Sequence, residues 1–327
     1  MRLVTELREV VAFQNPLILT FGNFDGIHLG HQRLLEAVMD RAHKTGGLAA
    51  AFTFREHPQS VLQPNRPPEL LMSPEQKIFL FEKMGLDTCL VIPFTIEFSR
   101  QAAPQFVEQI LVGTLKAKEI FLGSSARFGE GRKGDAALMK SLSSPLGFRF
   151  EEVPPVIVGG ETVSSSKIRQ FVKAADFEKA RQGLGHDYSL FCRVVRGAGR
   201  GKALGYPTAN LEIGKTLFPP QGVYAVSVCI MKKKGNSLAE DGRFRGVLNY
   251  GTRPTFGGES AAVAEVHLLG FQGELYGETL DIAFQCRIRP EKTFSGPEEL
   301  RRQIQEDIQA AQAYWSRGKK AFTKRDK

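Results

Sequence analysis

The 327-residue sequence predicts an α/β protein that is divided into two domains. In the first half, short apolar runs alternate with helical periods, which is typical of a parallel sheet with helices on both faces. From about Tyr188 onward, glycines and prolines crowd between short strand-like runs, which favours an antiparallel sandwich or barrel. One amphipathic helix closes this second half. These patterns place the domains at residues 1–185 and 186–327.

Apolar runs predict the strands of the first domain, and helical periods lie between them. The strands are predicted at Leu17–Phe21, Leu48–Phe54, Thr88–Phe94 and Glu119–Leu122. The first helix carries apolar residues on one face and can end at Gly46. A second helix is predicted after a capping box at Ser73, and a third over Pro104–Leu111. A charge-rich helix, at about residues 167–182, leads to the domain boundary.

The second domain is predicted to consist of short strands and one closing helix. The strands are expected at Ser189–Val195, Gly222–Met231, Arg245–Tyr250, Ala262–Leu269 and Leu280–Ile288. Ser295 can cap the helix, with Glu298 at the matching position of a capping box. The buried stripe of this helix is predicted to contain Leu300, Ile304, Ile308, Ala311 and Trp315.

The composition limits the classes of function. The net charge is +9, and the basic residues concentrate in Lys232–Lys234 and in the C-terminal tail, without interleaved aromatic residues. Small anionic substrates are therefore expected as partners, and nucleic acid is not. The four cysteines form no CxxC pair, and neither a secretory signal nor an apolar run of membrane-spanning length is visible. We expect a cytoplasmic protein with free thiols and no membrane partner; the composition leaves the oligomeric state open.

The densest motif of the first half is Gly22-Asn23-Phe24-Asp25-Gly26-Ile27-His28-Leu29-Gly30-His31, between a strand and a helix. Free backbone N–H groups and the helix dipole attract anions at such a junction. His28 and His31 point the same way and can donate to one phosphate, and Gly30 leaves room for a flat base. The motif predicts nucleotidyl transfer, in which a phosphate oxygen displaces pyrophosphate from the ATP α-phosphorus. One alternative is that both histidines simply lie on the surface. Another is that they bind a metal ion, but zinc would need a third ligand, and none is obvious nearby in the sequence.

This block resembles the adenylyltransferase module of the bacterial bifunctional riboflavin kinase/FMN adenylyltransferases, within the wider group of HxGH nucleotidyltransferases. Three further segments match: Thr53–Pro58, Phe94–Ser99 and Ser164–Arg169. The resemblance implies a Rossmann-like domain with His28 and His31 as catalytic residues. It also implies ATP and phosphate binding by Gly22, Phe24, Asp25, Gly30, Ser165, Ser166 and Arg169.

The flavin side of the implied adenylyltransferase site would contain His57, Pro58, Ser125 and Phe128. Three positions depart from the family pattern. Ser125 replaces a polar amide or carboxylate, Ala126 replaces an aromatic residue, and Glu56 replaces a proline beside His57. A smaller pocket wall is therefore expected, and an alternative follows from it: a kinase whose adenylyltransferase domain is weak or inactive.

The second dense motif is Gly199-Arg200-Gly201-Lys202-Ala203-Leu204-Gly205-Tyr206-Pro207-Thr208-Ala209-Asn210. Its glycines suggest a flexible flap over anionic groups. Thr208 and Asn210 offer hard oxygen ligands, which suit Mg²⁺ beside phosphates. Further along, Glu265 lies on an alternating strand and could take a proton from a substrate alcohol. A single strand glutamate usually faces solvent, so the residue pattern alone supports this role weakly.

The whole second half resembles the riboflavin kinase domain of the same family. Besides residues 199–210, the segments 222–225, 246–256, 265–277 and 289–294 match its motifs. The resemblance implies a six-stranded Greek-key β-barrel with a C-terminal helix, Glu265 as the catalytic base, and Thr208 and Asn210 as ligands of Mg²⁺ and phosphate. The implied ATP- and flavin-binding set is Gly199, Gly201, Lys202, Gly205, Pro207, Thr208, Asn210, Asn249 and Arg289.

Together the two halves predict a bifunctional enzyme of flavin-nucleotide synthesis. The second domain would phosphorylate riboflavin to FMN with ATP and Mg²⁺, and the first would adenylylate FMN to FAD with a second ATP. A more distant alternative is a non-catalytic flavin- or RNA-binding protein, suggested by the basic charge. That alternative predicts salt-sensitive nucleic-acid binding, and indifference to the loss of His28 or Glu265.

Overall fold

The computed structural model describes residues 1–10, 15–197, 201, 205–235, 237–254 and 260–322. The chain forms two compact units. The first contains residues 1–167 and 183–185, and the second contains residues 168–182 together with the chain from residue 186 onward. In the described ranges, no helix combines the length and apolar character that a membrane span requires.

The first unit is built on a six-stranded sheet in which every strand pair is parallel, as the alternating pattern predicts. The strand order is β1-β4-β3-β2-β5-β6. The strands are β1 (Arg2–Val4), β2 (Leu17–Phe21), β3 (Leu48–Phe54), β4 (Thr88–Ile92), β5 (Ala117–Gly123) and β6 (Arg149–Val153). The central strands β2 and β4 are buried throughout, because apolar clusters cover both faces of the sheet.

The helices of the first unit begin and end at the residues that their capping chemistry requires. They are α1 (Leu29–Thr45), α2 (Pro58–Leu62), α3 (Pro74–Met84), α4 (Ile96–Ser99), α5 (Ala103–Gln105) and α6 (Ala136–Leu146). Gly46 ends α1 in the left-handed conformation with φ 64°, and Ser73 caps α3 by accepting the N–H of Gln76 at 3.1 Å. Both predicted helix boundaries are therefore confirmed.

The predicted helix over Pro104–Leu111 differs from an ordinary α-helix. After α5, the chain forms a π-helix over Phe106–Thr114, and the N–H of Leu115 bonds to the carbonyl of Ile110 at 2.9 Å. Phe106 meets a group of aromatic rings with centroids 5.4–6.0 Å away, namely Phe21, Phe52, Phe98 and Phe128. Such π-helical turns occur frequently at functional sites, and this one packs beside the ends of β2 and β3.

The charge-rich segment before the domain boundary forms two helices, which corrects the single helix predicted at about residues 167–182. These are α7 (Ser165–Lys173) and α8 (Phe177–Leu184). The break falls at Ala175, whose φ of 54° is incompatible with a continuous right-handed helix. Asp176 then starts α8 by accepting the N–H of Lys179 at 3.1 Å.

The second unit is a closed, six-stranded antiparallel barrel, as the family resemblance implies. Its strand order is β10-β13-β12-β11-β14-β9. The strands are β9 (Ser189–Val195), β10 (Ala209–Leu211), β11 (Gly222–Lys234), β12 (Ser237–Pro254), β13 (Ser260–Leu268) and β14 (Thr279–Pro290). Earlier in the chain, β7 (Ile157–Val158) pairs with β8 (Glu161–Thr162) in a separate two-stranded sheet.

The C-terminal helix α9 (Pro297–Phe322) packs on the outside of the barrel. Ala311 and Trp315 are buried against Val223 and Val247, which confirms that end of the predicted stripe. The predicted capping partner is wrong by one residue: the N–H and hydroxyl of Ser295 donate to Glu299 at 3.0 and 2.8 Å, rather than to Glu298.

Candidate active sites

The turn between β2 and α1 has an unusual backbone. Gly26 adopts φ 88°, as expected for a tight turn, but Phe24 and Ile27 also have positive φ, at 51° and 37°. Side chains with a β-carbon rarely adopt this region, so the turn stores strain. A β-carbon at Gly26 would come within 2.8 Å of Leu71, and thus Gly26 is required for both its conformation and its space. Strained turns of this kind concentrate at functional sites.

Hydrogen bonds from other segments hold the turn in this strained conformation. The buried carboxylate of Asp25 accepts the N–H of Leu71 at 2.9 Å. The hydroxyl of Ser165 donates to the carbonyl of Asp25 at 2.8 Å, and the amide of Gln32 donates to the carbonyl of Ile27 at 2.7 Å. Two residues that the sequence predicts to bind ATP, Asp25 and Ser165, are therefore brought together, and both support the turn.

The two motif histidines lie at the start of α1. His28 is the N-cap, and its Nδ1 accepts the N–H of His31 at 3.3 Å. The two rings stack with centroids 3.6 Å apart. A β-carbon at Gly30 would lie 3.2 Å from the ring of His28, so the glycine leaves room for the neighbouring imidazole, where the sequence had suggested a nucleotide base. The glycine of the motif thus permits this orientation of His28.

Both histidines are electrically neutral near pH 7. Burial lowers the pKa of His28 to about 4. Burial also lowers the pKa of His31 well below its ordinary value, and the charges of His28 and Lys77 lower it further. Because Nδ1 of His28 accepts a hydrogen bond, its proton resides on Nε2, which leaves that atom as a donor. A neutral donor of this kind suits an anionic ligand without requiring protonation.

The depressed pKa of His28 predicts acid destabilisation of the first unit. The unfolded histidine, with a pKa of about 6.5, takes up a proton between pH 6.5 and about 4, whereas the folded histidine stays neutral. Its contribution to stability is fully present above pH 6.5, and it falls by at most about 3 kcal/mol as the pH approaches 4. Calorimetry should show that the first unit melts at lower temperature over this range.

The matched variant for this prediction is His28→Asn, which has no titrating group but can still cap α1. It should reduce the dependence of the melting temperature on pH between 6.5 and 4, and the part that His31 contributes should remain. Trp315, the single tryptophan of the chain, is buried in the second unit, so its fluorescence identifies the transition of the other unit. Equal pH dependence in the variant and the parent protein would contradict the assignment to His28.

A small cleft, called here the cavity, lies beside the turn, on the side that the sequence assigns to the flavin. Its lining comes from the turn, the end of β3 and the start of α3, and includes Asn23, Asp25, Phe54, Glu56, His57 and Lys77. His57 caps α2 by accepting the N–H of Gln59 at 3.2 Å, with Pro58 as the first helical residue. Sequence reasoning did not single out Lys77, because it precedes no motif and lies on an ordinary helix.

Glu56, which departs from the family pattern, has a definite contact in this cavity wall. Its carboxylate accepts the backbone N–H of Phe94 at 3.1 Å. A proline at this position could not accept that bond. The carboxylate therefore joins the segment Thr53–Pro58 to the segment Phe94–Ser99, two of the regions that match the family. Phe94 also stacks edge-on with Phe54, with centroids 4.9 Å apart.

The other two residues that depart from the family pattern, Ser125 and Ala126, follow β5 and differ in their exposure to solvent. Ser125 is exposed, whereas Ala126 packs against the apolar cluster under the sheet. Phe128 stacks edge-on with Phe21 at 5.1 Å and belongs to the aromatic group around the π-helix. Two of the predicted flavin-side residues therefore differ in their surroundings: Phe128 is fixed by packing, whereas Ser125 faces solvent.

The serine-rich segment forms the first turn of α7. Ser164 accepts the N–H of Lys167 at 3.4 Å, and Ser165 reaches the carbonyl of Asp25. Ser166 and Arg169 follow on the same helix, with Arg169 one turn beyond Ser165. The predicted phosphate-binding element is thus a helix N-terminus whose first residues contact the histidine turn.

In the second unit, strand register aligns the predicted kinase residues in one row. Glu265 lies directly opposite Asn210 on one neighbouring strand and opposite Asn249 on the other. The row continues through Val223 to Arg289. The adjacent positions Leu248 and Val266 are buried inside the barrel, so the row faces outward. The structure brings together residues that lie 55 and 16 positions from Glu265 in the sequence.

The segment before β10 is closely packed against this row. Nδ1 of His267 lies 2.7 Å from the carbonyl oxygen of Pro207. A β-carbon at Gly201 would lie 2.9 Å from Oγ1 of Thr208, and one at Gly197 would collide with the side chain of Asn210. Gly205 adopts φ 85°, as a turn glycine does. His267 and Gly197 were missed by sequence reasoning. The predicted residues Gly199 and Lys202 lie outside the described residues.

The donor set of this row fits a magnesium ion beside phosphates. Thr208 directly precedes β10 and lies two positions before Asn210, and Glu265 stands opposite Asn210. Hydroxyl, amide and carboxylate oxygens are the ligands that Mg²⁺ prefers. In the described ranges, no group of three or more His, Cys, Asp or Glu side chains could hold a metal alone. An ion here would therefore depend on the mixed oxygen donors and on the phosphates of a substrate.

Arg289, at the other end of the row, is held by α9. Its guanidinium makes two hydrogen bonds of 2.8 Å to the carboxylate of Asp307, which is 4% exposed. Gln303 donates to the same carboxylate at 3.2 Å. The geometry is the bidentate form that gives the strongest charge-assisted pairs. The predicted ligand-binding role of Arg289 thus coincides with an anchoring contact to the C-terminal helix.

Removing this contact is expected to destabilise the second unit. In Asp307→Asn the partly buried guanidinium would lose its buried counter-charge, which costs up to about 3 kcal/mol when such a pair is broken on one side. Denaturant unfolding followed by the fluorescence of Trp315, on the same helix, measures the effect directly. The matched control is Glu306→Gln, because Glu306 is exposed on that helix. Equal unfolding midpoints for the two variants would contradict an anchoring role for Asp307.

Comparison with known proteins finds two family models that match different parts of the chain. A family model for FAD synthetase matches residues 11–167, and one for riboflavin kinase matches residues 184–315. Curated relatives include the bifunctional riboflavin kinase/FMN adenylyltransferases of Haemophilus influenzae, 33% identical over 97% of this chain and 100% of the relative, and of Escherichia coli K12, 32% identical over 94% and 96%. The Pseudomonas fluorescens protein of the same name is 34% identical over 96% and 97%.

Among solved structures, a chain described as a macrolide-efflux protein from Streptococcus pneumoniae matches with a TM-score of 0.80. It is 27% identical, and the match covers 95% of this chain and 98% of the other. That likeness extends over both units of the fold, whereas the activity in its name differs from those of the curated relatives. The two family models and the nearly full-length relatives decide the question: this chain belongs to the family of bifunctional riboflavin kinase/FMN adenylyltransferases.

Proposed function

We propose that this enzyme makes FMN and then FAD, with one reaction in each of the domains 1–185 and 186–327. The observation that carries the proposal is that each unit keeps a compact site at the position of its family motif. The first has the stacked His28 and His31 at a helix N-terminus, and the second has the aligned row of Asn210, Glu265 and Asn249. Each site contains groups that match one of the two reactions.

For the kinase reaction, Glu265 is the proposed general base. It would accept the proton of the terminal ribityl hydroxyl while that oxygen attacks the γ-phosphorus of ATP, and ADP would leave. Thr208 and Asn210 would hold Mg²⁺, which when bound neutralises charge on the phosphates. Asn249, on the far side of Glu265, would orient the hydroxyl or the flavin. Arg289 would help to bind ATP or the flavin at the end of the row, where α9 holds its side chain.

For the adenylyltransferase reaction, the protein mainly positions groups and stabilises charge. A phosphate oxygen of FMN would attack the α-phosphorus of ATP, and pyrophosphate would leave with the broken bond's electron pair. His28 and His31 would stabilise the charge on the α-phosphate through neutral N–H donors. Ser165, Ser166 and Arg169 would bind the ATP phosphates at the start of α7.

The test is a time course of FMN and FAD formation by the purified protein with riboflavin, ATP and Mg²⁺. Both products should appear, with FMN first. Absence of FMN would refute the kinase assignment. FMN that accumulates without FAD would support the second candidate, a kinase with a weak adenylyltransferase, for which the exposed Ser125 and the small Ala126 are the motivating observations. Omitting Mg²⁺, with a chelator present, should stop FMN formation.

The cytoplasm remains the proposed site of action. The cysteines Cys89, Cys192, Cys229 and Cys286 are free thiols, and burial raises the pKa of each. Cys286 is partly buried and the other three are buried, and neutral thiols of this kind are inert and suit a reducing compartment. The proposed partners are small molecules, namely ATP and the flavins. An RNA-binding role would require salt-sensitive binding that survives in His28 and Glu265 variants.

A further inference from the structure

Lys77 is a cation in a position where helix chemistry disfavours one. It lies in the first turn of α3, where the positive end of the helix dipole repels an ammonium group. The compensation comes from hydrogen bonds. Nζ donates to the carbonyl of Asn23 at 2.8 Å, to the hydroxyl of Thr53 at 3.2 Å and to the carbonyl of Phe54 at 3.4 Å. An ammonium group has three donors, so each of them has an acceptor here.

The three acceptors belong to two different segments. Asn23 begins the strained histidine turn, whereas Thr53 and Phe54 end β3 and lead directly into the segment that carries His57. Thr53 is fully buried, and its hydroxyl also lies 3.4 Å from the carbonyl of Asn23. The ammonium is therefore the centre of a junction between the turn at the histidines and the wall of the cavity beside it.

We propose that Lys77 is a positioning residue for adenylyl transfer, whose ammonium joins the histidine turn to the segment that carries His57. This inference rests on the proposed adenylyltransferase function of the first domain. The ammonium fixes the distance between the phosphate-binding turn and the flavin-side wall, so the attacking phosphate and the α-phosphate of ATP are held in line. Positioning of reacting groups is the main contribution a protein makes to this class of reaction.

The charge of Lys77 has a second consequence at the histidines. Burial lowers the pKa of Lys77 to about 8, while the facing carboxylate of Asp25 favours its charged form. Cys89, on β4, also faces it, but burial raises the pKa of that thiol to about 12, so the thiol is neutral. The charge of Lys77 helps to hold the pKa of His31 below its ordinary value. Removing the charge should therefore raise the pKa of His31.

The experiment compares Lys77→Met with Lys77→Arg and with the control Lys83→Met, which removes an exposed lysine from the same helix. Met keeps the length of the stem but has no donor. We expect the kcat of FMN adenylylation to fall about tenfold to a hundredfold in Lys77→Met. Riboflavin phosphorylation by the same protein and the activity of Lys83→Met should stay within about twofold of the parent. Lys77→Arg should recover part of the loss, because it retains a charged donor.

The second readout is the titration of His31, followed by NMR of the labelled imidazoles without substrates. Lys77→Met should raise the pKa of His31, while Lys77→Arg should leave it low. The proposal is overturned if Lys77→Met retains parental adenylylation, or if it loses activity only through a lower melting temperature with unchanged His31 titration. If the parent protein forms no FAD, the adenylyltransferase proposal fails, and the His31 titration still decides whether Lys77 acts on the histidine turn.

Discussion

Replacing Glu265 by glutamine is expected to stop FMN formation almost completely. Glutamine keeps the shape and hydrogen-bonding capacity of the side chain but cannot accept the proton of the ribityl hydroxyl. General-base catalysis contributes about a hundredfold to ten-thousandfold to such reactions, and kcat should fall by that factor. Because Glu265 is central in a row with Asn210 and Asn249, the neutral side chain should leave the barrel intact. Steady-state kinetics with riboflavin measure the effect.

The bifunctional chain supplies an internal control for this variant. When FMN is added directly, Glu265→Gln should convert it to FAD at the parental rate, because that reaction belongs to the other domain. A matched control is Glu240→Gln, since Glu240 is an exposed glutamate that pairs with Arg243 on β12. A loss of less than about tenfold in kcat would contradict a general-base role for Glu265. Equal losses in both reactions would indicate damage to the whole chain.

The buried strands could be predicted from the sequence because their apolar runs have few alternatives. The predicted bounds Leu17–Phe21, Leu48–Phe54 and Ser189–Val195 agree with the structure. The edge strands β1 and β6 were missed, since several of their side chains are exposed and the apolar pattern is lost. The helical period also could not distinguish the π-helix at Phe106 from an α-helix, because that choice depends on the surrounding aromatic rings.

In the candidate sites, too, some residues could be predicted from the sequence and others could not. The role of His28 is predicted from residue types and spacing, whereas that of Glu265 is implied by the resemblance to the riboflavin kinase domain, and both roles stay predictions. The residues that position these side chains could not be predicted from the sequence. Lys77 contacts a carbonyl 54 residues away, and Asp307 is a buried acid within a helix stripe predicted to be apolar. Local patterns predict neither contact, since both depend on how distant segments meet. The same reason explains why Glu56 departs from the family yet joins two of its matched segments.

Replacing His28 by asparagine is expected to abolish FAD formation while FMN formation continues. Asparagine can still accept the N–H of His31 as an N-cap, but it has no donor at the position of Nε2. Loss of one donor to a developing charge costs about a hundredfold to a thousandfold in kcat, and we expect that loss in adenylylation. The time course with riboflavin should then show FMN that accumulates without conversion.

The structure separates the two functions of this side chain. His28→Ala removes both the cap and the donor, so it should lower the melting temperature of the first unit by the effect of about 1 kcal/mol that a lost cap typically has. His28→Asn should keep the melting temperature near the parental value and still lose activity. His43→Asn, at an exposed position in the last turn of α1, is the matched control. If His28→Asn retained FAD formation, capping would be the whole contribution of His28, and the charge-stabilising role would pass to His31 and the start of α7.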